Sequence, residues 1–155
     1  MQKEGRRGVV HKGLWSSSRG SSADAGEYPG RVRLIFKDLP LPSHALARPA
    51  HEAARCAGLL GRYWPYHDKL FAAQPRFERA DLLRYAGDVG LPVEKFTQCL
   101  DEHRFAAAVD ADVEQARALG VRSTPTFIIN GRPLVGAHPI ENFRSVIDEA
   151  LKDAR

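Results

Sequence analysis

The sequence predicts an α/β fold in which a small sheet is interrupted by a long helical insertion. Three observations carry this. Val32-Arg-Leu-Ile-Phe-Lys37 is a compact β-branched run, Asn130-Gly131 separates two short runs with strand character, and the chain between these features repeats apolar residues at three- and four-residue spacings. At 155 residues and 43% hydrophobic composition, one ordinary core is within reach, so a single domain is expected.

Each element follows from its local chemistry. Val32 to Lys37 suits a buried strand, being too short for a helix, and Pro40 and Pro42 stop it. Pro49 fits the first turn of a helix whose Ala53, Cys56, Ala57 and Leu60 share one face, with Gly61 ending it. A second helix is expected around Tyr66 to Phe71, beside Trp64. A third, Arg79 to Val89, carries Leu82, Leu83 and Ala86 and stops at Gly90. Pro92 opens a fourth with Val93, Phe96, Cys99 and Leu100 on one side. A fifth runs through Phe105, Val109, Val113, Ala116 and Leu119 to Gly120. The helical insertion is thus placed at about 44–119.

Pro125-Thr-Phe-Ile-Ile-Asn130 then predicts a strand, and Asn130-Gly131 a tight hairpin into a second strand at Arg132 to Val135, because both turn residues tolerate positive φ. Pro139 starts a last helix with a stripe of Ile140, Phe143, Ile147, Ala150 and Leu151. Residues 1–27 are set apart. Ser16-Ser-Ser-Arg-Gly-Ser-Ser-Ala-Asp-Ala-Gly26 has too few apolar residues to offset the entropy of ordering it, so a flexible or degenerate segment is expected there, with the folded domain at 28–155.

Charge excludes one class of partner. Of the net +4, residues 1–31 carry six Lys or Arg against three Asp or Glu, which leaves the body near neutral. Its basic residues alternate with acids over Arg76 to Arg84 and Arg104 to Arg117, the pattern of solvated helical faces rather than a phosphate-tracking stripe, so nucleic acid is not expected as a partner. No apolar run approaches the roughly 20 residues of a membrane span, and Met-Gln-Lys-Glu-Gly-Arg-Arg has no apolar leader stretch, so neither membrane insertion nor a signal peptide is expected.

Several motifs in order carry a resemblance. Glu27-Tyr-Pro-Gly-Arg-Val-Arg-Leu-Ile-Phe-Lys-Asp-Leu-Pro-Leu-Pro42, Glu52-Ala-Ala-Arg-Cys-Ala57, Tyr66-His-Asp-Lys-Leu-Phe71, Gly120-Val-Arg-Ser-Thr-Pro-Thr-Phe127 and Asn130-Gly-Arg-Pro-Leu-Val-Gly136 together resemble the DsbA-like thioredoxin-fold family of bacterial thiol-disulfide oxidoreductases, over roughly residues 27–152. The resemblance implies a DsbA-type sheet with a helical insertion, no cofactor, extended or thiol-bearing protein substrates and an extracytoplasmic setting. The residues themselves name no compartment. It also implies that Pro125 is the cis-proline of the substrate-binding turn, with Thr124 beside the reacting sulfur.

The chain departs from this family where the chemistry should be. A Cys-x-x-Cys at the mouth of the first helix is the family's reactive pair, its thiolate favoured by the helix N-terminus, and none occurs here. Counted back from Glu27 without gaps, that site falls at His11-Lys-Gly-Leu14, and Trp15 to Gly26 lacks the apolar periodicity of the helix. No catalytic residue is therefore assigned. The N-terminal strand and helix are expected to be absent or degenerate, and loss of the central strand would leave unpaired backbone open to a second copy of the chain. Gly8-Val-Val-His-Lys-Gly-Leu-Trp15 is the one upstream segment that resembles a replacement strand.

Cys56 and Cys99, 43 residues apart, both lie on apolar faces. They are either buried small hydrophobes or a structural disulfide between two helices. The histidines have no zinc-ligand spacing and read as surface or capping groups, so no metal is assigned. Three functional readings stay open: a thiol-disulfide oxidoreductase, which the resemblance implies but which is expected to be inactive without a Cys-x-x-Cys, a non-catalytic thioredoxin-like module that binds peptides at Thr124 and Pro125, and the remnant of a disrupted gene.

Overall fold

The computed structural model describes residues 8–12 and 27–153. Its strands are β1 (Gly8–Lys12), β2 (Val32–Phe36), β3 (Thr126–Ile129) and β4 (Arg132–Val135). Six helices are described: α1 (Ala47–Leu59), α2 (Tyr63–Ala73), α3 (Arg79–Asp88), α4 (Val93–Asp101), α5 (Ala106–Ala118) and α6 (Ile140–Asp153). The chain forms two compact units. One runs through Lys37 and resumes at Gly120, and the other is Asp38–Leu119.

The first unit is built on a sheet of order β2-β1-β3-β4. β1 lies parallel to β2, with Gly8 opposite Val32 and Lys12 opposite Phe36, and antiparallel to β3, with Val10 opposite Ile129. The central slot is thus filled from within the chain, by the first five residues of the upstream segment the sequence singles out. This corrects the expectation of a missing strand and removes the reason to look for a second copy in that slot. The corresponding helical half falls on residues outside those described.

β3 and β4 close as the Asn-Gly turn requires, with Asn130 at φ 47° and Gly131 at φ 86°, and Ile129 opposite Arg132. Both turn residues are left-handed, so the two strands inherit the twist of the sheet. Phe127 and Ile129 sit two apart on β3 and so share a face, where they pack with Ile147, Ala150 and Leu151 of α6. The Phe127 and Phe143 rings meet edge to face at 4.6 Å. A forked pair between Arg144 and Glu27, at 2.9 and 2.6 Å, ties α6 to the residue just ahead of β2's approach.

The second unit is helical, with its own core. Ala53, Cys56 and Ala57 of α1 pack with Tyr66 and Leu70 of α2, Leu82 and Ala86 of α3, and Phe96 and Cys99 of α4. Two buried tyrosines enter this core because their hydroxyls have partners: Tyr66 donates to the Leu82 carbonyl and Tyr85 to that of Arg76, each at 3.0 Å. α3 ends through Gly90 at φ 74°, and the following Leu91 N–H bonds back to the Ala86 carbonyl at 2.9 Å.

The helical stripes are displaced from expectation in two places. α2 begins at Tyr63 and runs to Ala73, longer at both ends than the aromatic cluster suggests. On α5 the expected stripe is thin: Leu119 is 60% exposed, and the buried residues are Val109 and Asp112. A carboxylate stands where the pattern asks for an apolar side chain, because Asp112 has cationic and backbone donors waiting for it. Among the described residues no helix is long and apolar enough to cross a membrane.

Candidate functional site

The first candidate is the turn that leads into β3. Its shape is set by two hydrogen bonds: Thr126 Oγ1 donates to the Ser123 carbonyl at 2.7 Å, and the Gly136 N–H donates to the Pro125 carbonyl at 2.8 Å. The second anchors the turn to the far end of the hairpin. The Thr124–Pro125 bond is cis. Pro125 and Thr126 are buried while Thr124 is half-buried, its hydroxyl enclosed without a hydrogen-bond partner among the described residues. Thr124 precedes the strand, so neither its amide nor its carbonyl is used by the β3–β4 ladder.

Thr124 and Pro125 are neighbours in sequence on this turn, and the two cysteines belong to the helical unit. Cys56 on α1 and Cys99 on α4 form a disulfide with Cα atoms 5.9 Å apart, and no cysteine is free. They are 0% and 3% exposed, so this cystine is closed to an attacking thiolate. The tetrapeptide reached by ungapped counting falls elsewhere than a helix mouth. His11 and Lys12 are strand residues of β1, opposite Ile35 and Phe36, and the other two lie outside the described residues.

The helical unit also holds a polar cluster that the sequence reading missed. Asp38, His51 and Asp112 are buried, and Arg55 stands between them. His51 Nδ1 lies 2.6 Å from one Asp38 carboxylate oxygen, and Arg55 Nε donates to the other. Asp112 accepts from Arg55 at 2.5 Å and from the Asp38 amide at 3.0 Å. Burial pushes the Asp38 carboxyl up, but the hydrogen bond and charge of His51, with those of Arg55, outweigh it and hold the group below the usual carboxylate range. Burial opposes the Arg55 charge, and the two carboxylates overcome that and raise it. The phenol of Tyr63 is pushed far up, first by burial and then by the nearby Asp38 charge.

Two expectations are corrected here. The acids and bases between Arg104 and Arg117 do not all face water, since Asp112 is buried against Arg55. His51 and His67 are buried rather than superficial. One sequence signal was available: Arg48, His51, Glu52 and Arg55 fall at three- and four-residue spacings on one side of α1, a polar seam beside its apolar face. Nothing in the local sequence identifies which acids meet it, because Asp38 and Asp112 lie 13 and 57 residues away from their partners.

Comparisons with known proteins agree with this geometry. A family model described as Thioredoxin matches residues 23–149. Among solved structures, BdbD of Bacillus subtilis superposes with a TM-score of 0.84 at 19% identity, covering 97% of this chain and 90% of that one. A thioredoxin-like oxidoreductase from Silicibacter pomeroyi gives 0.81 at 20% identity, covering 94% and 87%. The thiol-disulfide exchange protein alpha-DsbA2 of Wolbachia pipientis gives 0.78 at 20%, covering 95% and 83%. In sequence, the chain is 38% identical over 125 residues to a protein named Na(+)/H(+) antiporter NhaA 3 of Salinispora tropica, covering 80% of this chain and 19% of that protein. It is 32% identical over 144 residues to the NhaA antiporter of Herminiimonas arsenicoxydans, covering 92% and 22%. The chain thus spans about a fifth of the length of these relatives.

Proposed function

Since the chain belongs to the thioredoxin family, we propose that it is a DsbA-like thioredoxin-fold module that holds extended polypeptide at the Thr124–Pro125 turn and does not itself exchange disulfides. One observation carries this reading. The chain's two cysteines are bonded to each other and buried inside the helical unit, so no thiol is left for exchange, while the Thr124 amide and carbonyl lie outside the β3–β4 ladder. A disulfide transfer needs a thiolate to attack and a second sulfur to receive the bond. Binding by strand addition needs only a free row of N–H and C=O groups on each side.

Two measurements test it. In an insulin-reduction assay with thiol reductant the chain should give no turnover above the uncatalysed rate, and turnover that disappears when Cys56 and Cys99 are both replaced by alanine would overturn the proposal. An extended peptide that binds should lose its affinity when methylated at the backbone nitrogens that face the turn. Equal affinity for the methylated peptide would exclude backbone pairing.

The relatives named as Na(+)/H(+) antiporters support a second reading, concerning the partner. A thioredoxin-fold stretch that recurs within proteins of that name suggests that the extended segment held by the turn belongs to an antiporter-type membrane protein. A photo-crosslinking residue in place of Thr124 should then capture such a protein from membranes. Capture of unrelated unfolded chains in its place would rule this partner out and leave general peptide binding.

A further inference from the structure

Helix α5 is attached to its unit differently from the other helices. Helices α1, α2, α3 and α4 share one apolar cluster, and the Cys56–Cys99 cystine joins the first of them to the last. α5 buries only Val109 and Asp112, and among the described elements it packs against α1 alone. Beyond Val109 and the packing of Phe105 at its N-terminus, what holds it there is polar. Asp112 takes the Arg55 guanidinium and the Asp38 amide, Asp110 meets Arg48 at 2.8 Å, and Arg48 also donates to the Ala106 carbonyl at 3.3 Å.

Arg55 has a particular place in this arrangement. Its Nε holds Asp38, the first residue of the helical unit, and its Nη2 holds Asp112 on α5, the last helix before the chain leaves that unit at Gly120. One side chain therefore ties the first residue of the helical unit to its last helix. Removing it leaves two buried carboxylates facing each other without their shared cation, a strongly unfavourable state.

We propose that Arg55 is the latch of a detachable helix: α5 opens away from α1 as a unit while α1 to α4 stay folded.

Hydrogen exchange read by mass spectrometry on the whole chain tests this. In the native protein α5 amides should exchange through an opening that leaves α1 to α4 protected. Arg55→Met should speed α5 exchange at least about tenfold, from the loss of charge-assisted hydrogen bonds, with α4 unchanged. Arg55→Lys, which keeps the charge but cannot fork, should fall between the two. One common exchange rate for α5 and α1 to α4 in the native protein, or an equal acceleration of all five in Arg55→Met, would overturn the latch. Should Arg55→Met fail to fold, native-protein exchange at low denaturant decides the matter by the same criterion.

Discussion

Asp38 shows how one side chain can be both costly and indispensable. Its carboxylate gives up water, and only His51 and Arg55 make that tolerable. Asp38→Asn is expected to lower the unfolding free energy by about 3 kcal/mol, measured by urea denaturation at neutral pH. The pH dependence follows from the direction of its pKa. The folded protein holds this group below its ordinary value, so on acidification the unfolded chain takes up the proton first. The stabilisation is complete above the unfolded value of about 4 and is lost as pH falls through the folded one. The urea midpoint should therefore fall below about pH 4, and Asp38→Asn should remove part of that decline. An unchanged acid limb in the variant would show that other carboxylates carry it.

Among the elements, the hairpin and the cystine make opposite demands on the chain. β3 and β4 are four residues each, so their pairing depends on the turn between them. Gly131 has open space around its Cα but φ of +86°, so in Gly131→Ala the penalty is conformational rather than steric. A loss of about 1 kcal/mol is expected, seen as a lower thermal midpoint without a change in fold by circular dichroism. The cystine works on the unfolded state instead. It closes a loop of 43 residues, for which chain entropy alone gives about 4 kcal/mol, so replacing Cys56 and Cys99 with alanine should cost that order in a denaturant titration.

Across the whole molecule, what was legible in the sequence is what is periodic. Apolar spacing located the helices of the insertion, and the Asn-Gly turn located the hairpin. Pairings between distant residues were not legible. β1 holds a central strand with only two adjacent valines to recommend it, because its neighbours β2 and β3 supply the hydrogen bonds that its composition does not promise. Asp112 defeated the pattern on α5 for the same reason, its partner being a side chain on another helix. Of the candidate site, the Thr124–Pro125 turn was found through resemblance, whereas the Arg55 cluster carried no local motif. The same scale bears on substrate choice. If backbone pairing alone holds a peptide, replacing the peptide's cysteine with serine should leave the calorimetric affinity unchanged within about twofold. A drop of tenfold or more would mean that sulfur is recognised after all.

The cystine has one more implication, for the integrity of the chain once it has been cut. The connection from Gln74 to Glu78 lies outside any helix, with Pro75 and Arg76 exposed, and it falls between the two bonded sulfurs. A protease that nicks it produces two fragments that stay covalently joined. The clipped molecule should migrate as one band on a non-reducing gel and come apart only after dithiothreitol, so damage at this site would pass unnoticed until the sulfur link is broken.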